Sequence, residues 1–322
     1  MKTNRFTLEP YKSPSSRYTC PRCEHKRKFS RYIDIETGQH LSRDVGRCDR
    51  QDNCGYHYSP RQYFHDNPDQ SNNNSAHILP SPSPTPSKPA SFIPLTSFNQ
   101  SMRAYQRNNL ITYLRSLFDE TTLSNLIKQY CIGTSKKWPG STVFWQVNTN
   151  SEVRAGKIMH YNAVTGHRTK YPINHISWVH SVLKYKDYNL QQCFFGEHLL
   201  ALNPDLPVQV VESEKTAIIA SVYFPKFVWI ATGGKFGCKW TTWDVCKVLK
   251  ERKIVLWPDI KAYDEWQRKA EQLKQYGLQV GISDLLERKA SETERAAGLD
   301  IADYLIRFPI ELFNLSHKSQ PP

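Results

Sequence analysis

No run of eighteen apolar residues occurs anywhere in this 322-residue chain, which argues against a membrane-spanning helix. The first residues, MKTNRFTLEPYK, lack the apolar core of a secretory signal, so a soluble, cytoplasmic protein is expected. Acidic residues are few beside basic ones: 30 Asp and Glu stand against 43 Lys and Arg, a net charge of +13. That imbalance favours a polyanionic partner, with nucleic acid ahead of an anionic membrane surface. A phosphate loop of the Gly-x4-Gly-Lys-Ser/Thr kind is missing, because ATGGKFG (Ala231 to Gly237) has neither its spacing nor its hydroxyl, so no ATPase or helicase motor is encoded. Gly-x-Ser-x-Gly and His-Glu-x-x-His are absent too.

Of the eight cysteines, four cluster and four (Cys131, Cys193, Cys238, Cys246) scatter through apolar segments, a usage that suits reduced thiols better than disulfides. Cys20 and Cys23 form a Cys-x2-Cys knuckle, Cys48 and Cys54 a second pair with x5 spacing, and the 24 residues between the pairs read as a hairpin turning at Glu36, Thr37 and Gly38. Four thiolates so placed make a closed tetrahedral zinc site for a unit too small to bury its own core, with His25 and His57 nearby as alternative ligands. The unit spans 1–65. Basic and aromatic residues interleave on its first arm, where Arg27, Lys28 and Arg31 are candidate phosphate contacts.

Residues 66–96 change character: six prolines from Pro80 to Pro94, with Ser, Asn and Thr between, form a semi-rigid linker. From 97 to 190 a basic α+β region follows, with a helix expected over Ser101 to Leu117, another opened by Asp119, and a hairpin of STVFWQV and EVRAGKIMHYN around NTNS. Between Phe98 and Tyr188 it holds twelve Lys or Arg against four Asp or Glu. Arg154, Lys157, Arg168 and Lys170 are the candidate nucleic-acid or nucleotide contacts there; a β-rich subdomain with its aromatics packed inside reads equally well.

The last region, 191–322, alternates strand and helix. VQVV runs into Glu212 and Ser213 before a helix, FVWIA into Gly233 and Gly234, and KIVLW into Asp259 before a helix from Tyr263 to Tyr276. Such alternation implies parallel strands with right-handed crossovers and a ligand site beyond their carboxyl ends, where Glu212, Gly233, Gly234 and Asp259 fall. Asp300 and Asp303 precede a late apolar helix, Asp300 as its N-cap and Asp303 as either helix residue or metal ligand.

Glu212 in VVESEKTA, the glycine turn after the second strand and Asp259 after the third resemble the Toprim domain of bacterial primases, topoisomerases and related nucleases, over roughly Val208 to Leu305. The four-cysteine unit resembles the zinc ribbon preceding that domain in primases, though with a longer second pair and no His. The resemblance implies an α/β chain with a Toprim-like parallel sheet after a small β zinc ribbon and a basic middle region. It also implies Mg²⁺ or Mn²⁺ at Glu212 and Asp259 for nucleotidyl transfer. This chain departs from the pattern: Lys261 stands where a second Asp follows Asp259, Ser213 replaces a Gly, and Thr216 replaces an acid, so Glu214, Asp264, Asp300 or Asp303 would have to complete the charge. Lys215, Lys261 and the two glycines become candidate phosphate contacts. The order of parts resembles primase-like proteins of mobile elements and phages, which implies single-stranded DNA or RNA, nucleotides and a replicative helicase as partners. A non-catalytic zinc-dependent nucleic-acid-binding accessory and a Toprim-type nuclease are the alternatives.

The cysteine spacing predicts one tightly held zinc per chain. Elemental analysis of the purified protein should find it, and Cys48→Ser should lose it; a folded, zinc-free preparation would refute the site.

Overall fold

The computed structural model describes residues 5–50, 54–67, 89–171, 173–234 and 237–314, so the linker expected at 66–96 falls largely outside it. The chain forms two compact units, Met1–Ser87 and Lys88–Pro322. In the first, strands β1 (Phe6–Leu8), β2 (Phe29–Asp34), β3 (Gly46–Cys48) and β4 (His57–Tyr58) make an antiparallel sheet in chain order, followed by helix α1 (Pro60–Asp66). The expected hairpin is the β2–β3 pair, with Phe29 opposite Cys48, and the Gly38 amide donates to the Asp34 carbonyl in the turn. Strand β1 carried no sequence signal because three residues show no periodicity; Arg5 beside it reaches Asp34 at 2.8 Å. Gly46 is obligatory, since a Cβ there would lie 2.2 Å from the Ser30 carbonyl oxygen across the sheet.

The second unit opens with α2 (Leu95–Ser101), α3 (Asn109–Leu117) and α4 (Glu120–Gln129). An antiparallel sheet follows, β5 (Ile132–Thr134), β6 (Thr142–Val147), β7 (Val153–Met159) and β8 (Ile176–Trp178), again in chain order. Short helices α5 (Val179–Val182) and α6 (His198–Leu202) lead to the alternating part: β9 (Val208–Val211), α7 (Glu214–Tyr223), β10 (Val228–Ala231), α8 (Trp243–Cys246), β11 (Lys253–Leu256), α9 (Tyr263–Gln275) and β12 (Gln279–Ile282). Its four strands are all parallel, in the order β10-β9-β11-β12. Helices α10 (Leu285–Lys289), α11 (Glu292–Ala297), α12 (Ile301–Leu305) and α13 (Glu311–Asn314) close the described chain. The α/β class, with a parallel sheet preceded by a β ribbon and an α+β region, is therefore what the chain adopts. Among the described residues no helix is long and apolar enough to cross a membrane.

Every residue of β6 is buried because its two faces meet different cores. Phe144 points into the large core shared with the parallel sheet, whereas Val143 and Trp145 pack on Ile93, Ile158 and Val179 on the other side. Tyr130 ties the two sheets together: its hydroxyl donates toward the Trp229 and Ala217 carbonyls at 3.1 and 3.3 Å, and its ring stacks on Phe195. Helix α7, apolar nearly all round, is buried on nine of its ten residues between the parallel sheet and α12.

The helix expected over Ser101 to Leu117 is broken. Ala104 adopts a left-handed φ of 58°, and the chain restarts at Asn108, whose carboxamide oxygen caps the Leu110 and Ile111 amides of α3. Residues 89–94, counted with the linker, run against the second unit: the Ile93 amide donates to the Val153 carbonyl and Ile93 is buried.

Asn108 is fully buried and also accepts from Thr142 Oγ1 at 2.7 Å while donating to the Gly133 carbonyl. Asn108→Ala removes a cap and leaves buried partners unpaired, so urea unfolding should show a loss of about 2–4 kcal/mol. Asn108→Asp, which keeps the cap but turns a buried carboxylate oxygen toward the Gly133 carbonyl oxygen, should lose at least as much.

Candidate functional site

The first site is the cysteine cluster. The Cys20 carbonyl accepts from the Glu24 amide and the Cys48 amide donates to the Tyr56 carbonyl, so each pair is shaped by its own backbone turn. The four Sγ atoms lie within 4.8 Å of one another, with Cys20 to Cys54 at 3.6 Å and Cys23 to Cys48 at 3.9 Å. A tetrahedron with Zn–S bonds of about 2.3 Å has edges of about 3.8 Å, so the thiols stand where a zinc ion would hold them, and too far apart for disulfides. The backbone amide of His25 lowers the Cys23 thiol to about 6, while burial pushes Cys48 up to about 12. A thiolate set of this kind suits structural Zn²⁺. The alternative ligands are turned elsewhere: His25 Nδ1 sits 2.8 Å from the Cys23 carbonyl, and His57 stacks on Tyr32. Arg31 lies over the Tyr18 ring at 3.9 Å, and Arg27 and Lys28 line a cavity of about 510 Å³ with Tyr11 and Arg17.

The second site is a cavity of about 580 Å³ at the carboxyl ends of β9 and β11. Glu212 follows β9 and Asp259 follows β11, while Asp300 and Asp303 reach the same cavity from the start of α12. Asp300 is the N-cap, as expected, in a reciprocal box with Asp303: each carboxylate accepts the other's backbone amide at 3.1 Å. Thr216, where the Toprim pattern has an acid, donates to Asp300 Oδ2 at 2.6 Å. A carboxylate there would repel Asp300; the hydroxyl holds it.

Burial, then Glu212, Asp300 and Asp303, raise Asp259 well above the ordinary carboxylate range, with Lys215 opposing them; Asp300 is raised for the same first reason. Among the described residues the four cysteines are the one set of three or more His, Cys, Asp or Glu with ligand atoms all within 4.8 Å, so the carboxylates are spread more widely. Carboxylate oxygens are the donors that Mg²⁺ or Mn²⁺ takes, and one or two of them with water suffice, so the donor chemistry on this cavity fits such an ion.

Arg168, Lys170 and Tyr171 also line the cavity, the last 85% exposed. Lys157 also lines the cavity but is buried, donating to Glu214 at 3.0 and 3.3 Å and to the Gly233 carbonyl at 2.8 Å. Glu214 is thereby neutralised. The Gly233 and Gly234 amides both donate to the Glu212 carbonyl at 3.0 Å, fixing the backbone that carries the carboxylate. Both glycines have positive φ, 82° and 125°, which the turn requires. Ser213 occupies the N-cap position of α7 without a side-chain cap bond.

Four candidates stand outside the cavity, Gly233 among them. Asp264 is exposed in the first turn of α9, and Lys261 is exposed, its amide donating to Glu287. Arg154 packs over the Phe92 ring at 5.2 Å. Glu197 is buried and accepts the Phe194 amide, and burial takes its carboxyl to about 7. The Lys157–Glu214 pair and the Thr216–Asp300 bond had no sequence signal, since their members lie 57 and 84 positions apart.

Residues 4–69 match a zinc beta-ribbon finger family, and residues 108–260 match a domain of unknown function, DUF6371. No curated protein matches the chain. Among solved structures, the chain is similar to the primase fragment of the bacteriophage T7 primase-helicase protein, at 11% identity over 88% of this chain and 98% of that one, TM-score 0.38. It is also similar to the RNA polymerase domain of Mycobacterium tuberculosis primase DnaG, at 10% identity over 68% and 79%, TM-score 0.39. A third likeness is to a DnaG primase catalytic domain bound to ssDNA, at 10% identity over 69% and 83%, TM-score 0.36. These overlaps are loose, and the chemistry of the site rests on its own residues.

Because Asp259 is raised, the folded chain holds a proton that the unfolded chain gives up at lower pH. Its contribution to stability is complete below the ordinary carboxylate range and is lost as pH rises through the raised value. Asp259→Asn should therefore melt a few degrees higher than the parent at pH 8 without added divalent metal, the gain shrinking toward pH 5. An equal shift at both pH values would mean that charge crowding is not the cause.

Proposed function

We propose that this is a nucleic-acid-binding, primase-like protein whose acidic cavity supports Mg²⁺- or Mn²⁺-dependent nucleotidyl transfer. The observation that carries the reading is one cavity lined by Glu212, Asp259, Asp300 and Asp303 together with Arg168 and Lys170. Acidic and basic side chains on one cavity suit a polyphosphate bound both through a divalent ion and directly by cations. Glu212 and Asp259 would hold the ion, which when bound would neutralise phosphate charge and help activate a 3′-hydroxyl. Arg168 and Lys170 orient the phosphates by direct ion pairing, and Lys157 keeps Glu214 from competing for the ion. The zinc ribbon, with Arg27, Lys28 and Arg31 beside aromatic rings, grips the single-stranded template. Within that reading the chain serves replication of a mobile element or phage, and a replicative helicase is its natural partner.

One observation favours the non-catalytic reading: Lys261 occupies the second acidic position after β11 and is exposed outside the cavity, so the strand end supplies one carboxylate instead of two. Primer synthesis on a single-stranded template with Mg²⁺ or Mn²⁺, run beside cleavage of the same DNA, separates the readings. Synthesis should be detectable and should fall on the order of 100-fold or more in Glu212→Gln and in Asp259→Asn. Cleavage without synthesis would make the protein a nuclease, and neither activity with intact, salt-sensitive DNA binding would make it an accessory.

A further inference from the structure

Lys215 lines the cavity beside Asp303, and it is unusually placed. Its side chain is 9% exposed, yet its ammonium donates no hydrogen bond within 3.5 Å among the described residues. Its nearest partner is Asp303 Oδ1 at 3.7 Å, and it stands 6.0 Å from the centre of the buried Tyr113 ring. A buried ammonium with unfilled donors is unfavourable unless the surrounding charge offsets its desolvation. Here five carboxylates line the same space, Glu214 among them being paired with Lys157.

Those carboxylates are unequal. Asp300 uses both oxygens, one on the Asp303 amide and one on Thr216, and Asp303 uses Oδ2 on the Asp300 amide and turns Oδ1 toward Lys215. Glu212 and Asp259 come instead from strand ends, and the residue two positions after Asp259 is Lys261, which lies outside the cavity. On the divalent-metal reading above, we infer that this is a one-metal site: Glu212 and Asp259 take a single ion, and the Lys215 ammonium, paired with Asp303, is a resident cation where a second ion would otherwise bind. Lys215 lies on the second residue of α7, directly after the Glu212 turn, so backbone geometry fixes it in the site and its open donors face any phosphate that enters. A lysine differs from a metal ion in this role: it carries one charge instead of two and needs no ligand set of its own.

The test is Mn²⁺ binding to the full-length, zinc-loaded protein, followed by electron paramagnetic resonance and calorimetry, without reference to activity. The parent chain should bind one Mn²⁺ in addition to its zinc, and Asp259→Asn should weaken it at least tenfold. Lys215→Met should bind a second Mn²⁺, or the first at least tenfold more tightly, and Lys215→Arg should behave as the parent. As a second readout, added Mn²⁺ should raise the melting temperature of Lys215→Met more than that of the parent, which also reports on a variant that is poorly folded without metal. Two Mn²⁺ ions in the parent, or an unchanged stoichiometry and affinity in Lys215→Met, would overturn the one-metal inference alone. No Mn²⁺ in the parent, or binding indifferent to Asp259→Asn, would overturn the metal reading beneath it as well.

Discussion

The buried ion pair between Lys157 and Glu214 sets the geometry on which the rest of the second unit depends. Lys157 comes from the middle of an antiparallel strand and Glu214 from the first turn of α7, and the same ammonium also binds the Gly233 carbonyl in the turn after β10. Three separate segments therefore meet at one nitrogen. Burying two charges is costly, and removing one partner alone leaves an unpaired charge worth about 3–5 kcal/mol of destabilisation. What the pair gives in return is register: the β7 wall, the start of α7 and the glycine turn keep one mutual position, and the Gly233 and Gly234 amides in turn hold the Glu212 carbonyl.

Around that anchor, charge is sorted. Glu214 is paired with Lys157, whereas Glu212, Asp259, Asp300 and Asp303 line the same cavity, with Lys215 beside Asp303. Burial and like charge together make this set of carboxylates electrostatically unfavourable by itself, which is the signature of a site built for a cation or for chemistry and not for stability. Arg168 and Lys170 line the same cavity and bring the opposite sign to it.

The zinc ribbon obeys a different constraint. Its core is little more than Cys20, Phe29 and Cys48, with Tyr18 and Tyr56 partly buried against them. So little apolar surface cannot offset the entropy of ordering this small sheet, and the metal supplies the cross-link that a larger core would otherwise provide.

By itself the sequence determined what local spacing encodes. Two cysteine pairs flanking a hairpin are legible because a tetrahedral ion fixes ligand separation, and strand-helix alternation is legible because each element has its own apolar period. Parallel strands share one chain direction, so the residues that follow them, Glu212 and Asp259, fall at one edge whatever the side chains do. Tertiary structure alone decided the rest. Asp303 joined the cavity while Asp264, nearer to Asp259 in sequence, stayed outside, because α9 carries Asp264 away on its first exposed turn. Lys157 read as a phosphate contact and became the partner of Glu214, and the short strand β1 and the break at Ala104 left no periodic trace. In each of these cases the deciding interaction joins residues tens of positions apart or a backbone angle, and neither leaves a mark on local composition.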